Sequence, residues 1–239
     1  MKPPKLLVLS LLSAALLATA CASTSSRQEK RESEFNYKMG LAYLSEGDRQ
    51  KAFVHLQKAL QEDPSNKDVI NNLGLIYISL DNLEEAKELF QRAVSLDPAF
   101  SDAHNNLGTV YMRLGKWQEA IGSFREALAN PLYQAPERAF YNLGTAYYRT
   151  GQFQPAIDAF KDALRRAPLF PLPYYGLALV YNKTERYGDA ASVIAKAIEL
   201  DSSYRGDSRK FAEDLGERLT TAKGIDETDL RDYLEILRY

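Results

Sequence analysis

An all-α solenoid of helical hairpins is the fold this sequence predicts, on three observations. A small residue recurs as Gly40, Gly74, Gly108, Gly144 and Ala178, at steps of 34, 34, 36 and 34 residues, and a fixed period of that size marks a repeat architecture. At constant offsets from this anchor stand further columns: Tyr43, Tyr77, Tyr111, Tyr147 and Tyr181; Ala52, Ala86, Ala120, Ala156 and Ala190; the large apolar Leu56, Phe90, Phe124, Phe160 and Ile194; and Ala59, Ala93, Ala127, Ala163 and Ala197. Within each unit two runs of apolar residues at helical spacing flank a breaker, Gly47-Asp48, Asp81-Asn82, Gly115-Lys116 or Gly151-Gln152, so each unit is a helical hairpin.

With Pro64, Pro98 and Pro168 closing three of the units, these columns resemble the tetratricopeptide repeat. The resemblance implies a right-handed superhelix whose concave surface is lined by the first helix of each hairpin. Small residues at the anchor and alanine columns let backbones approach, and the tyrosines and phenylalanines fill the space between hairpins. Packing is therefore the role assigned to the columns.

Residues 1–20 have a different character: Lys2 and Lys5, an apolar run from Leu6 to Leu17, then Ala18-Thr19-Ala20 ahead of Cys21, the only cysteine. The run is shorter than the roughly 20 residues needed to span a bilayer, and a basic start with a small-residue cleavage site describes an export signal. The segment resembles a bacterial lipoprotein signal, which implies lipidation of Cys21 as the new N-terminus. An ordinary signal peptide with an incidental cysteine is the alternative. Residues 21–33 are polar after the cysteine and are expected to form a flexible, lipidated tether. Ala22 in place of aspartate implies onward sorting to the outer membrane, with the folded part facing the periplasm.

Five repeats are expected over 34–204. The first runs to about Ser65, and the second and third share the tetrad NNLG. Helices stop at Asp97-Pro98 and Asn130-Pro131 because the residue before proline leaves the α region. The two-residue slip in the period falls at 130–137, where two prolines predict a longer loop. Pro155 lies near the start of a second helix, where its missing N–H costs nothing. Residues 205–239 carry two more apolar stripes (Phe211, Leu215, Leu219; Leu230, Tyr233, Leu234, Leu237). They read as capping helices, a degenerate sixth repeat that covers the last hairpin.

Composition is that of an ordinary soluble chain, 45% hydrophobic and 26% charged, with a formal net charge of −2. Loss of Lys2 and Lys5 with the signal leaves 28 of the 30 basic residues against 32 acidic ones, a net of −4. No basic block for nucleic acid results. His55 and His104 stand in different repeats, and no HExxH, GxSxG or GxxxxGK[ST] occurs. No enzyme is therefore expected, nor any metal or cofactor beyond the lipid on Cys21. In the first helices the positions that point into the groove give Tyr37, Lys38, Leu41 and Leu44; Asn72, Leu75 and Ile78; Asn106, Met112 and Arg113; and Asn142, Thr145, Tyr148 and Arg149, with Tyr175, Leu179, Asn182 and Lys183 in the fifth repeat. Asparagine at equal steps suits pairing with an extended peptide, or else serves contacts within the helix pair. The apolar members have no folding reason to be exposed.

The signal, the tether, the NNLG units and above all the stretch ALANPLYQAPERAFYNLG at 127–144 together resemble the type IV pilus pilotin lipoproteins. What this implies is a monomeric outer-membrane lipoprotein that binds the pilus secretin subunit through the repeat groove and promotes its assembly into multimers. The competing reading is a general periplasmic scaffold, an adaptor for cell-wall enzymes or an export accessory, because the fold alone does not fix the function.

Overall fold

The computed structural model describes residues 28–239; Cys21, the signal and residues 22–27 lie outside them. Every regular element among the described residues is helical, and the chain forms two compact units, one ending at Pro98 and the other beginning at Ala99.

The first unit contains α1 (28–45), α2 (Arg49–Glu62), α3 (Lys67–Ser79) and α4 (Leu83–Leu96). Asp48 and Asn66 cap α2 and α3, their side chains accepting from the backbone N–H groups of Lys51 and of Asp68 and Val69. Ala52, Leu56, Ala59, Val69, Leu73 and Ile76 form a buried cluster on which Tyr37, Tyr43 and Leu44 pack. Helix α1 begins inside the stretch expected to be tether. Ser33 is buried and its hydroxyl donates to the Ala59 carbonyl at 2.9 Å, so a serine takes a small-residue packing position there. Polar residues hid this turn of helix, because its contact with α2 is a hydrogen bond rather than an apolar stripe.

The second unit contains α5 (Ser101–Arg113), α6 (Trp117–Ala129), α7 (Pro136–Arg149), α8 (Phe153–Arg166), α9 (Pro171–Lys183), α10 (Tyr187–Leu200), α11 (Ser208–Leu219) and α12 (Ile225–Ile236). One buried cluster runs through it from Ala120 to Ile236. The slip in the period is absorbed at 130–135: Asn130 donates to the Ala99 carbonyl at 3.1 Å and accepts from Leu132 N–H at 2.9 Å, and Pro136 opens α7. Proline at that position removes an N–H that the helix start leaves unpaired anyway.

The columns explain both units. All ten alanines of the two alanine columns are fully buried. A Cβ added at Gly40 would lie 2.7 Å from Leu56, at Gly74 2.6 Å from Phe90, at Gly108 2.6 Å from Phe124 and at Gly144 2.7 Å from Phe160. Each anchor is thus the hole into which the large residue of the second helix fits. Seven residues beyond the anchors the chain turns through a left-handed residue each time: Gly47, Asp81, Gly115, Gly151 and Glu185, with φ between 59° and 81°.

Candidate functional site: the first-helix faces

On the first unit, the face of α1 and α3 carries the apolar residues that the sequence marks as outward. Leu41 is 38% exposed and Leu75 40%, while Leu44 and Ile78 are half-buried. Asn72 lies beside Tyr37, its Nδ2 3.5 Å from the Tyr37 hydroxyl oxygen, and the same amide donates to the Asp68 carbonyl at 2.8 Å. That contact sets α1 against α3 in register, and Leu41 and Leu75 fall in the next turn of each helix. Lys38 is exposed and pairs along α1 with Glu34 at 2.7 Å. The Asn72 amide thus makes contacts within the fold, and the exposed side chains of this face include Leu41, Leu75 and Lys38.

The second unit differs. On α5, Met112 packs half-buried against the core, and Asn106 is half-buried. Arg113 is exposed at the end of the helix. Asn142 of α7 donates to Asn105 Oδ1 at 3.4 Å, again a contact between neighbouring first helices. Tyr148 and Arg149, expected to face an open groove, are instead covered by α12. Arg149 makes a two-pronged bond to Asp229, NH1 to Oδ1 at 3.0 Å and NH2 to Oδ2 at 2.6 Å, and the Tyr148 hydroxyl donates to the same carboxylate at 3.2 Å. Burial works against the Arg149 charge, yet the Asp229 carboxylate outweighs it and holds the guanidinium above its ordinary value. Burial, together with the Asp229 charge, pushes the Tyr148 hydroxyl up as well.

The fifth repeat continues this pattern. Tyr175, Leu179 and Asn182 are buried, at 9%, 5% and 8% exposure, where open positions were expected. Tyr233 of α12 donates to the Tyr175 carbonyl at 3.4 Å and Tyr239 to Asn182 Oδ1 at 3.3 Å. Lys183 lies 2.6 Å from Asp232 Oδ2, and that oxygen, deeply buried, makes no aligned hydrogen bond, so the contact is one of charge. The terminal helix does more than cover the last hairpin, because it lies along the first-helix face of the fourth and fifth repeats. Asp229 and Asp232, three residues apart, are the residues that reading the repeats alone misses. Their signal in the sequence is the acidic run from Asp226 to Asp232, complementary to Arg149 and Lys183.

Elsewhere His55 is engaged in the first unit, its Nδ1 3.0 Å from Asn36 Oδ1 and its ring stacked on Tyr43. Among the described residues no helix is long and apolar enough to cross a membrane.

Comparison with known proteins agrees with the repeat family and the all-α fold. Models described as tetratricopeptide repeat match residues 43–94, 100–168 and 141–205, and one described as TPR repeat matches 74–115. Among solved structures, the pilF protein of Pseudomonas aeruginosa is 23% identical, with 88% of this chain and 93% of that one covered at a TM-score of 0.69. PilW, described as a widely conserved type IV pilus biogenesis factor, is 24% identical over 84% of this chain and 98% of that one, at 0.66. MamA is 26% identical over 68% of this chain and 94% of that one, at 0.60. A comparison with the curated protein sequences finds no match.

Proposed function

Because the chain belongs to the tetratricopeptide-repeat family, we propose that it works by protein binding, as an outer-membrane lipoprotein of type IV pilus assembly. In this reading it is a pilotin: anchored through lipid on Cys21 and facing the periplasm, it captures a segment of the secretin subunit and promotes multimer formation in the outer membrane. The likeness of fold to pilF and PilW supports the setting. The observation that carries the binding step is the exposure of Leu41 and Leu75 on adjoining first helices. Leucines that the folded unit does not bury have a use if a partner's apolar or amphipathic segment covers them. Leu44 and Ile78 widen that area. The chemistry asked of the protein is burial and orientation, without a covalent step.

Replacing Leu75 by aspartate tests it. A carboxylate placed in a contact that excludes water costs about 2–5 kcal/mol of binding, while a position already exposed makes little demand on the fold. The expected result is a folded protein at the outer membrane with secretin left monomeric and no surface pili. Full secretin multimers with this variant and with Leu41→Asp would reject the face as the site, and a partner other than secretin recovered on the same face would favour the scaffold reading.

A further inference from the structure

Helix α12 has properties that covering a last hairpin does not require. Such a cover needs one apolar side, and α12 supplies it with Leu230 and Ile236, at 4% and 1% exposure. Beyond these it brings two carboxylates into a nearly dry contact. Asp229 and Arg149 are 14% and 16% exposed in their side chains, Asp232 and Lys183 11% and 34%. Buried ion pairs add little net stability over apolar residues of similar size, but leaving one partner alone is costly. Charges in such a place therefore act mainly to discriminate: the face of α7 and α9 rejects a segment without carboxylates at the right spacing. The buried Asp232 Oδ2 has the Lys183 ammonium 2.6 Å away.

The attachment of α12 to the rest of the unit is exposed. Residues 220–224 join it to α11, four of the five are exposed, and Gly224 turns at φ 63° with nothing within 4 Å of its Cβ position. At the start of α12, Ile225 is 51% exposed and lines an open cavity with Tyr148, Arg149, Phe153 and Lys183.

We infer that the face of α7 and α9 is a docking surface for an acidic amphipathic helix of a partner protein, and that α12 is its built-in occupant, displaced when that helix binds. The segment recognised has two carboxylates three residues apart, for Arg149 and Lys183, with an aromatic residue beside the second to lie against Tyr175 as Tyr233 does, 5.8 Å between ring centroids and edge-on. This surface lies wholly within the second unit. It is independent of what binds Leu41 and Leu75, so either reading can fail without the other.

The probe is a labelled synthetic peptide with the sequence of residues 224–239, titrated by fluorescence anisotropy into the full-length protein. Three forms are compared: wild type, Asp229→Asn with Asp232→Asn, and the latter pair combined with Arg149→Gln and Lys183→Gln. In wild type the peptide competes with α12 in the same molecule, and apparent affinity falls by the fraction of molecules whose face is open. The Asp229→Asn/Asp232→Asn form is expected to bind about tenfold more tightly or better, the quadruple variant not at all. A peptide carrying the same two asparagines should bind neither. Hydrogen exchange should quicken over residues 220–239 alone in the first variant and slow again on adding peptide. Exchange that quickens equally in α9 and α10 would make α12 part of the core and overturn the proposal, as would the absence of peptide binding to the Asp229→Asn/Asp232→Asn form. A stable dimer of that form without peptide would assign the surface to a second copy's α12 and reject the partner helix.

Discussion

Gly74 and Gly122 are both helical glycines, and the difference between them is one of packing. A methyl group at Gly74 would stand 2.6 Å from the ring of Phe90, which is fully buried, whereas one at Gly122 would meet nothing within 4 Å. Gly74→Ala should therefore destabilise the protein by about 1–3 kcal/mol through overpacking. Gly122→Ala, in the middle of α6, should stabilise it by about 0.5–1 kcal/mol through helix propensity. Thermal unfolding followed by circular dichroism should move in opposite directions for the two variants; a shift of the same sign in both would mean that the anchor column is not a packing column. This column was legible in the sequence because its partner, Phe90, stands at a constant distance along the chain, and a contact within one hairpin repeats with the period. The contact of Arg149 with Asp229 spans 80 residues and occurs once, so no periodicity announces it.

At the scale of elements, the turn between the helices of each hairpin needs one residue in the left-handed region. Gly47, Gly115 and Gly151 supply it without strain, but Asp81 and Glu185 adopt it with side chains, at φ 61° and 59°. A non-glycine residue there costs roughly 1–2 kcal/mol, aspartate less than most. Glu185→Gly is accordingly expected to raise stability by about 1 kcal/mol, and by more than Asp81→Gly, in chemical denaturation compared at constant slope. Equal or negative changes would show that side-chain contacts of Glu185 and Asp81 offset the strain. Helix boundaries followed from the breakers and prolines, while two elements did not. The start of α1 was hidden by its polar residues, and α12 was expected over the last hairpin because an amphipathic stripe states that a helix buries one side without stating against what. Its acidic run and the cations at Arg149 and Lys183 together hold that answer, but only charge complementarity between distant segments expresses it.

For the whole molecule the central expectation concerns attachment. Cys21 is the only cysteine of 239 residues and stands directly after Ala18-Thr19-Ala20, so lipid on that sulfur would be the protein's hold on a membrane. Acyl chains contribute about 0.8 kcal/mol per buried CH2, and stable anchoring takes two of them together. Cys21→Ser should abolish incorporation of a labelled fatty acid in growing cells and leave an unlipidated precursor that is mislocalised. Label retained by the serine variant, or absent from wild type, would disprove the anchor. The same variant separates lipidation from binding: if the face of Leu41 and Leu75 works as proposed, the unlipidated protein should still capture secretin subunits without delivering them to the outer membrane.

The hole at each anchor and the side chain that fills it come from the same stretch of chain: Gly74 with Phe90, Gly108 with Phe124, Gly144 with Phe160. A gene segment encoding one such stretch can therefore be duplicated or deleted whole without orphaning either member. Proteins of this kind can lengthen or shorten in steps of one hairpin while keeping every such fit, and reach for a longer or shorter partner becomes something that recombination can alter in a single event.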